Sequence, residues 1–427
     1  MDILLENVRC FCDSHEISLR PLTLLVGENS TGKTTFLAML GHVSKPDFPL
    51  MRPSFNEEPF DLGSFDSIAT FKGGRYGRAD SFSVGLSVGD RSQGSYSRIL
   101  ATYGSYKGQP LLTKFVSAVK DLDLTLEVGQ QGIDSQIKFT YKKRTYEIKA
   151  DLREQVETGL PPRYLVQGAV AAYLQKTPLP ELQAITRALY QILPPYIRGV
   201  APVFAMAPVR TKPRRTYDEV SDEFRPEGQH IPIQLARLWQ EEGDSERAHL
   251  NKELLDFGKE SSLFKRVGVK RLGRRPSDPF QILVTTDGPA VNLLDVGYGV
   301  SQALPLLVES VLATKGRRLL IQQPEVHLHP RGQAALGSFF AHLVSAEKKE
   351  FVIETHSDYI LDRIRMEVAN GNLRPEDLSI LFFEKHGIET RLHSITVDQS
   401  GNIVDAPDSY RQFFMEEELR LMGRSEK

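Results

Sequence analysis

Eight residues constrain this chain more than any others: Gly27-Glu28-Asn29-Ser30-Thr31-Gly32-Lys33-Thr34, a loop with the spacing Gly-x4-Gly-Lys-Thr. Its glycines let the backbone curl so that successive N–H groups point at phosphate oxygens. A helix that follows adds the positive end of its dipole. The mechanism needs a strand before the loop and a helix after it, and both are legible. Leu22-Thr23-Leu24-Leu25-Val26 is largely apolar, as a strand buried on both faces should be. Thr34-Thr35-Phe36-Leu37-Ala38-Met39-Leu40 reads as the helix. The nucleotide-binding candidates are therefore Gly27, Glu28, Asn29, Ser30, Thr31, Gly32, Lys33, Thr34 and Thr35. Lys33 is expected to reach the β- and γ-phosphates of ATP, and Thr34 to hold Mg²⁺.

Composition narrows the setting. The chain has 427 residues, 40% hydrophobic and 25% charged, which is enough for a sizeable buried core. A net charge of -2 gives no global attraction to nucleic acid or acidic lipid, so any such contact needs a local basic patch. The two cysteines, Cys10 and Cys12, exclude a disulfide scaffold and are too few for a zinc site. With no signal-peptide pattern and no apolar run approaching about 18 residues, the chain reads as cytoplasmic, with no membrane partner.

Along the chain, Ile3–Leu5 and Glu16–Leu19 read as strands ahead of the loop strand. Residues 42–80 show no clear period. Residues 81–150 turn β-like: Leu122, Leu124, Leu126 and Val128 alternate, as do Ile137, Phe139 and Tyr141, with a hairpin loop at Gly129–Gly132. Residues 164–198 look helical, broken by Pro178, Pro180, Pro194 and Pro195. Val203–Met206 is a strand, 231–262 helical, 266–294 a β-hairpin, 295–313 a glycine-rich turn and helix. Arg318–Ile321 and Phe351–Glu354 are buried strands, and Leu378–Glu384 with Glu389–Val397 a closing pair.

Three further motifs carry chemistry. Asp295-Val296-Gly297-Tyr298-Gly299-Val300-Ser301-Gln302 offers a second helix N-terminus with free N–H groups, a phosphate-binding end suited to a nucleotide held by another subunit. Ile321-Gln322-Gln323-Pro324-Glu325-Val326-His327-Leu328-His329-Pro330 ends a buried strand in polar residues, where magnesium and attacking water would sit. Glu354-Thr355-His356-Ser357-Asp358 follows another apolar strand, and a histidine there can contact a γ-phosphate. His327 and His329 lack a third ligand of fitting spacing, so a zinc site is not expected.

In this order the four motifs resemble the ABC-type ATPase heads, and most closely the AAA-family ATPases related to overcoming-lysogenisation-defect (OLD) proteins and to SMC-like ATPases. The resemblance spans nearly the whole chain, Pro208-Val209-Arg210 and Gly401-Asn402-Ile403 included. It implies an α/β ABC-type P-loop head with an antiparallel β-subdomain and a helical signature subdomain. Residues 1–41 would form the loop core, 42–200 an inserted β-rich and helical arm, and 201–427 the lobe carrying signature turn, magnesium strand and switch histidine. Two heads would sandwich two ATP molecules, with Gly299, Ser301 and Gln302 of one completing the site of the other. His356 would be the switch histidine. Such a head is expected to act as sensor or scaffold of an anti-phage defence complex, controlling a separate nuclease or toxin. The rival is a DNA-repair or chromosome-maintenance ATPase that binds DNA directly.

One departure matters. ABC-type heads usually end the magnesium strand in Asp-Glu-Pro, whereas here Gln322 and Gln323 occupy those positions. Glutamine hydrogen-bonds water but cannot take its proton. Gln322 is then the residue left for the metal and Gln323 for the water. Glu325 is the nearest carboxylate, with Glu354 the alternative on a neighbouring strand. Slow hydrolysis with another base is the favoured reading, against an ATP-gated binder or an engineered trap. The basic clusters Arg210, Lys212, Arg214, Arg215 and Lys265, Arg266, Lys270, Arg271, Arg274, Arg275 read either as a nucleic-acid contact or as a solvated face.

Overall fold

The computed structural model describes residues 1–74, 77–89, 96–119, 122–159, 203–218, 223–240, 245–275 and 277–412, with scattered positions between 161 and 173 and at 416, 419 and 420. The helical segment expected at 164–198 lies almost wholly outside the described residues.

Two compact units share the chain: Met1–Leu19, Thr34–Val203 and His386–Thr390 form the first, and Arg20–Lys33, Phe204–Lys385 and Arg391–Lys427 the second. The first unit is built on an eight-stranded sheet. Its strands are β1 (Asp2–Val8), β2 (Phe11–Ser18), β8 (Ser81–Val88), β9 (Ser97–Tyr106), β10 (Gln109–Val119), β11 (Leu122–Glu127), β12 (Ser135–Tyr141) and β13 (Arg144–Ala150). They run in the order β13-β12-β11-β10-β9-β8-β1-β2, and every recorded pairing is antiparallel. Alternation selects the faces: Leu122, Leu124 and Leu126 are buried while Asp123 and Glu127 are exposed. Among the described residues this unit also holds most of α1 (Lys33–Val43), two short hairpins, β4 (Asn56–Glu57) with β5 (Phe60–Asp61) and β6 (Phe71–Gly73) with β7 (Gly77–Arg78), and the helices α2 (Phe65–Ile68) and α3 (Arg153–Thr158). The hairpin β1–β2, adjacent in sequence to the loop strand, thus belongs to the antiparallel sheet rather than to the sheet that carries the loop.

The second unit is built on a seven-stranded sheet of β14 (Val203–Met206), β18 (Arg318–Gln322), β19 (Glu350–Glu354), β3 (Leu22–Gly27), β20 (Leu378–His386), β21 (Glu389–Val397) and β22 (Ile403–Val404), in that order. β18, β19, β3 and β20 run parallel, and their residues form near-continuous buried runs, the pattern of strands covered on both faces. Among its described residues the α-helices include α4 (Ile231–Leu238), α5 (Ser245–Ser261), α6 (Tyr298–Leu312), α7 (Pro330–Glu347) and α8 (Asp358–Ala369). A small sheet of β15 (Arg266–Arg271), β16 (Phe280–Thr285) and β17 (Val291–Asn292) adds one short strand to the expected hairpin. The core runs from Leu22 and Leu24 through Leu306, Leu307, Ile321, Phe340 and Ile353. These are the elements of an α/β P-loop ATPase fold with an added antiparallel sheet. Among the described residues no helix is long and apolar enough to cross a membrane.

Candidate functional site

Parallel strands bring their carboxyl ends to one edge of a sheet, where α/β folds bind ligands. Here the register places Gln322 opposite Glu354, and Glu354 opposite Leu25, so the ends of β18, β19 and β3 lie side by side. Backbone bonds continue past the strands: Gln323 N–H donates to Glu354 C=O at 2.8 Å, and Thr355 N–H to Leu25 C=O at 3.1 Å. The expected loop, magnesium-strand and histidine motifs therefore meet at one edge.

The loop between β3 and α1 (Lys33–Val43) curls through three positive φ values, at Gly27 (135°), Ser30 (62°) and Gly32 (95°). Gly27 is required twice over: besides its φ, a Cβ there would lie 2.4 Å from the Phe383 carbonyl oxygen on β20. Glu28, Asn29 and Ser30 face solvent, while Thr31 is buried and its hydroxyl donates to Glu28 C=O. The Lys33 ammonium, 3% exposed, donates to the carbonyls of Gly27 at 2.9 Å and Glu28 at 2.6 Å. Burial lowers its pKa, and Glu354, Glu28 and Glu325 oppose that shift. Thr34 is exposed in the first turn of α1, whereas Thr35 is buried and its hydroxyl accepts from Arg9 at 3.2 Å.

At the end of β18, Gln322 is buried and its side-chain carbonyl oxygen has no hydrogen-bond partner among the described residues. An orphaned neutral oxygen at that edge fits a hard cation such as Mg²⁺, which takes oxygen ligands. Gln323 follows with φ 43° and is half-buried. Glu325 lies one turn on. Its two carboxylate oxygens accept from the Thr355 hydroxyl and the His356 N–H, each at 2.8 Å, so the expected base is fixed against the expected switch segment. Burial pushes the Glu325 carboxyl up, against those two bonds and the nearby Arg210 charge. His356 is exposed, and partial burial followed by the Lys33 charge lowers its pKa, which favours the neutral imidazole. Ser357 locks the segment: its hydroxyl donates to Gln333 at 2.6 Å and accepts from Ile360 N–H to cap α8.

The signature turn divides into two layers. Gly297 and Tyr298 are exposed at the start of α6, and Gly299 sits where a Cβ would come 2.9 Å from the His327 carbonyl oxygen. Tyr298 packs edge-on against the His327 ring at 4.7 Å. Ser301 and Gln302 lie behind, buried: the Ser301 hydroxyl donates to Tyr298 C=O at 2.9 Å, and the Gln302 amide accepts Arg210 N–H at 3.0 Å and donates to Arg210 C=O at 3.2 Å. His329 caps α7, its Nδ1 accepting from Arg331 N–H at 3.3 Å.

Arg210 is the residue that sequence reasoning placed wrongly, in a basic surface cluster. It is 2% exposed, donates to Gln322 C=O at 3.4 Å, and leaves Nε without a partner among the described residues. Burial drops its pKa to about 10, with Glu325 the carboxylate that opposes the shift. The sequence signal was its place four residues after a strand that joins the same sheet. Arg215 pairs with Asp295, and Lys265 with Asp287, so part of both basic clusters is already neutralised.

Residues 163–361 match the family model described as "AAA ATPase domain". That stretch contains the signature turn, Gln322 to Glu325 and His356, and the loop at 27–34 precedes it. No curated protein matches the sequence. Among solved structures, the chain is similar to an SMC head bound to the C-terminal winged-helix domain of ScpA, at 12% identity and TM-score 0.43, covering 93% of this chain and 98% of that one. It is similar also to an SMC head domain with an extended coiled coil bound to the C-terminal domain of ScpA from Pyrococcus furiosus, at 9% identity, TM-score 0.41 and 98% coverage of both chains. A third is the SMC head domain from Thermotoga maritima, at 9% identity, TM-score 0.37 and coverage of 93% and 98%.

Proposed function

We propose that this chain is an ATP-binding head that hydrolyses ATP slowly and pairs with a second copy through shared nucleotides. The observation that carries the reading is the single sheet edge where Lys33, Gln322, Glu325 and His356 are gathered, without the usual Asp-Glu pair. The loop amides and Lys33 would hold the triphosphate, Lys33 exchanging its two carbonyl partners for phosphate oxygens. The Thr34 hydroxyl and the Gln322 side-chain oxygen would hold Mg²⁺, which neutralises phosphate charge. Glu325 would take the proton of the attacking water, a task its raised pKa favours. Gln323 would orient that water, and the neutral His356 would hydrogen-bond the γ-phosphate. Slow turnover follows because Glu325 stands two residues beyond the usual base position.

In the paired state, Gly299 with its exposed neighbours Gly297 and Tyr298 would meet the nucleotide of the other head, while Ser301 and Gln302 hold the turn from behind. The order of the four motifs further supports a sensor or scaffold role in an anti-phage defence complex related to the OLD proteins, with a separate effector. Measured side by side, the native chain should bind ATP, release phosphate above a Lys33→Ala control, and sediment as a larger species with ATP than without. Binding without any release would leave an ATP-gated switch, and no binding at all would sink the proposal. Salt-sensitive DNA binding lost in an Arg214→Ala/Lys270→Ala variant would favour the DNA-maintenance alternative.

A further inference from the structure

Helices α5 and α7 carry a cluster of donor groups that the nucleotide site does not use. His249 and Glu253 lie one turn apart on α5, and His342 and Glu347 lie on α7. One donor atom each from His249, Glu253 and Glu347 falls within 4.8 Å of the other two. His249 Nε2 is 3.1 Å from Glu347 Oε1, and His342 Nε2 is 3.4 Å from Glu253 Oε2. Bonds of about 2.0–2.2 Å to a tetrahedral ion put neighbouring donor atoms about 3.3–3.6 Å apart, so both spacings are close to those of ligands around one ion.

A plain imidazole–carboxylate hydrogen bond is the competing explanation, and it fails at one point. Glu347 Oε1 is shut off from solvent and accepts no hydrogen bond among the described residues, although His249 Nε2 lies beside it. The two atoms sit side by side rather than aimed at each other. Glu253 is 4% exposed, an unusual depth for a carboxylate. The other oxygen of each carboxylate is held by a lysine, Lys252 at 2.8 Å from Glu253 and Lys349 at 3.0 Å from Glu347. These bonds orient the carboxylates as outer partners orient metal ligands, and their charge moderates the affinity. Lys349 is itself anchored to the Ser310 and Val311 carbonyls. A cleft of about 570 Å³, lined in part by Glu253, His342 and Ser345, opens beside the Glu253–His342 side of the cluster.

We propose that His249, Glu253 and Glu347, with His342 beside Glu253, form a binding site for a divalent transition metal of the zinc type, clipping α5 to α7. Imidazole donors favour such an ion over Mg²⁺ or Ca²⁺, which prefer oxygen alone. The proposal is independent of the nucleotide reading. The test titrates Zn²⁺ into the untagged full-length chain against a chromogenic chelator, in excess Mg²⁺. One Zn²⁺ per chain is expected, with affinity reduced at least tenfold in His249→Ala and in the isosteric Glu347→Gln, and unchanged in Lys33→Ala. Zn²⁺ should raise the melting temperature of the native chain and of Lys33→Ala, but not of His249→Ala, whose half-exposed side chain makes loss of folding no explanation. Absence of stoichiometric binding, or equal binding by both ligand variants, overturns the site.

Discussion

Gln302→Leu isolates one junction of the site. The Gln302 side chain, 1% exposed, satisfies both backbone groups of Arg210, accepting its N–H at 3.0 Å and donating to its C=O at 3.2 Å. Leucine fills similar space but offers neither bond. An unmet buried donor or acceptor costs about 1–3 kcal/mol, so the pair amounts to about 2–6 kcal/mol. Exchanging a buried amide for an apolar group returns about 1–2 kcal/mol of that. A net loss of about 3 kcal/mol remains, which for a unit of this size lowers the melting temperature by about 6–12 °C. Differential scanning calorimetry reads it directly, with Tyr298→Ala, at an exposed position on the same helix, as the control that should move little. The variant should also lose turnover more than ATP affinity, because the Arg210 backbone holds the guanidinium at the Gln322 carbonyl. A melting temperature within about 2 °C of the native value refutes the reasoning, since the clamp would then not exist in solution.

Other substitutions read the remaining parts. Glu325→Gln should cut phosphate release by about 10²–10⁴-fold while sparing ATP binding, and a parallel Glu354→Gln that is worse would transfer the base role to Glu354. The raised Glu325 carboxyl keeps its proton to higher pH in the folded chain than in the unfolded one, so between those two values the folded state binds more protons. Stability should therefore fall as pH rises through the window above the ordinary 4.5, and urea midpoints of Glu325→Gln should lack that fall. Arg210→Met should be no less stable than the native chain yet slower, because burial that pulls the guanidinium pKa down to about 10 means holding that charge inside costs about 3 kcal/mol; strong destabilisation by urea would contradict it. Gly27→Ala should abolish ATP binding in equilibrium dialysis, as neither φ 135° nor the Phe383 carbonyl admits a methyl group.

The sequence made the parallel strands and their polar ends legible because burial on both faces leaves a continuous apolar run, as in Leu22–Val26 and Arg318–Ile321. The alternating residues of 122–141 likewise announced the antiparallel sheet. What could not be read was partnership over long separation. Only closeness to the strand Val203–Met206 sets Arg210 apart locally from Arg214 or Arg215, and its burial depends on Gln302 and Gln322, about a hundred residues away. For the same reason the signature turn read as one surface, although Ser301 and Gln302 turn inward to bonds that only the folded chain supplies. The sheet assignment of β1 and β2 was hidden in the same way, because the pairing of β1 with Ser83–Ser87 follows a long intervening stretch.

Neither compact unit is a continuous stretch of chain, and this limits how the protein can be taken apart. Trimming from either terminus removes pieces of both units before it frees one. The segment Arg20–Lys33, which carries β3 at the middle of the parallel strands, is covalently embedded between two stretches of the other unit. A deletion series would therefore report loss of folding at nearly every step, whatever each part does. Dissection of this molecule has to proceed by point substitution, because the segments of the two units alternate along the chain and joining its ends would leave each unit in separate runs.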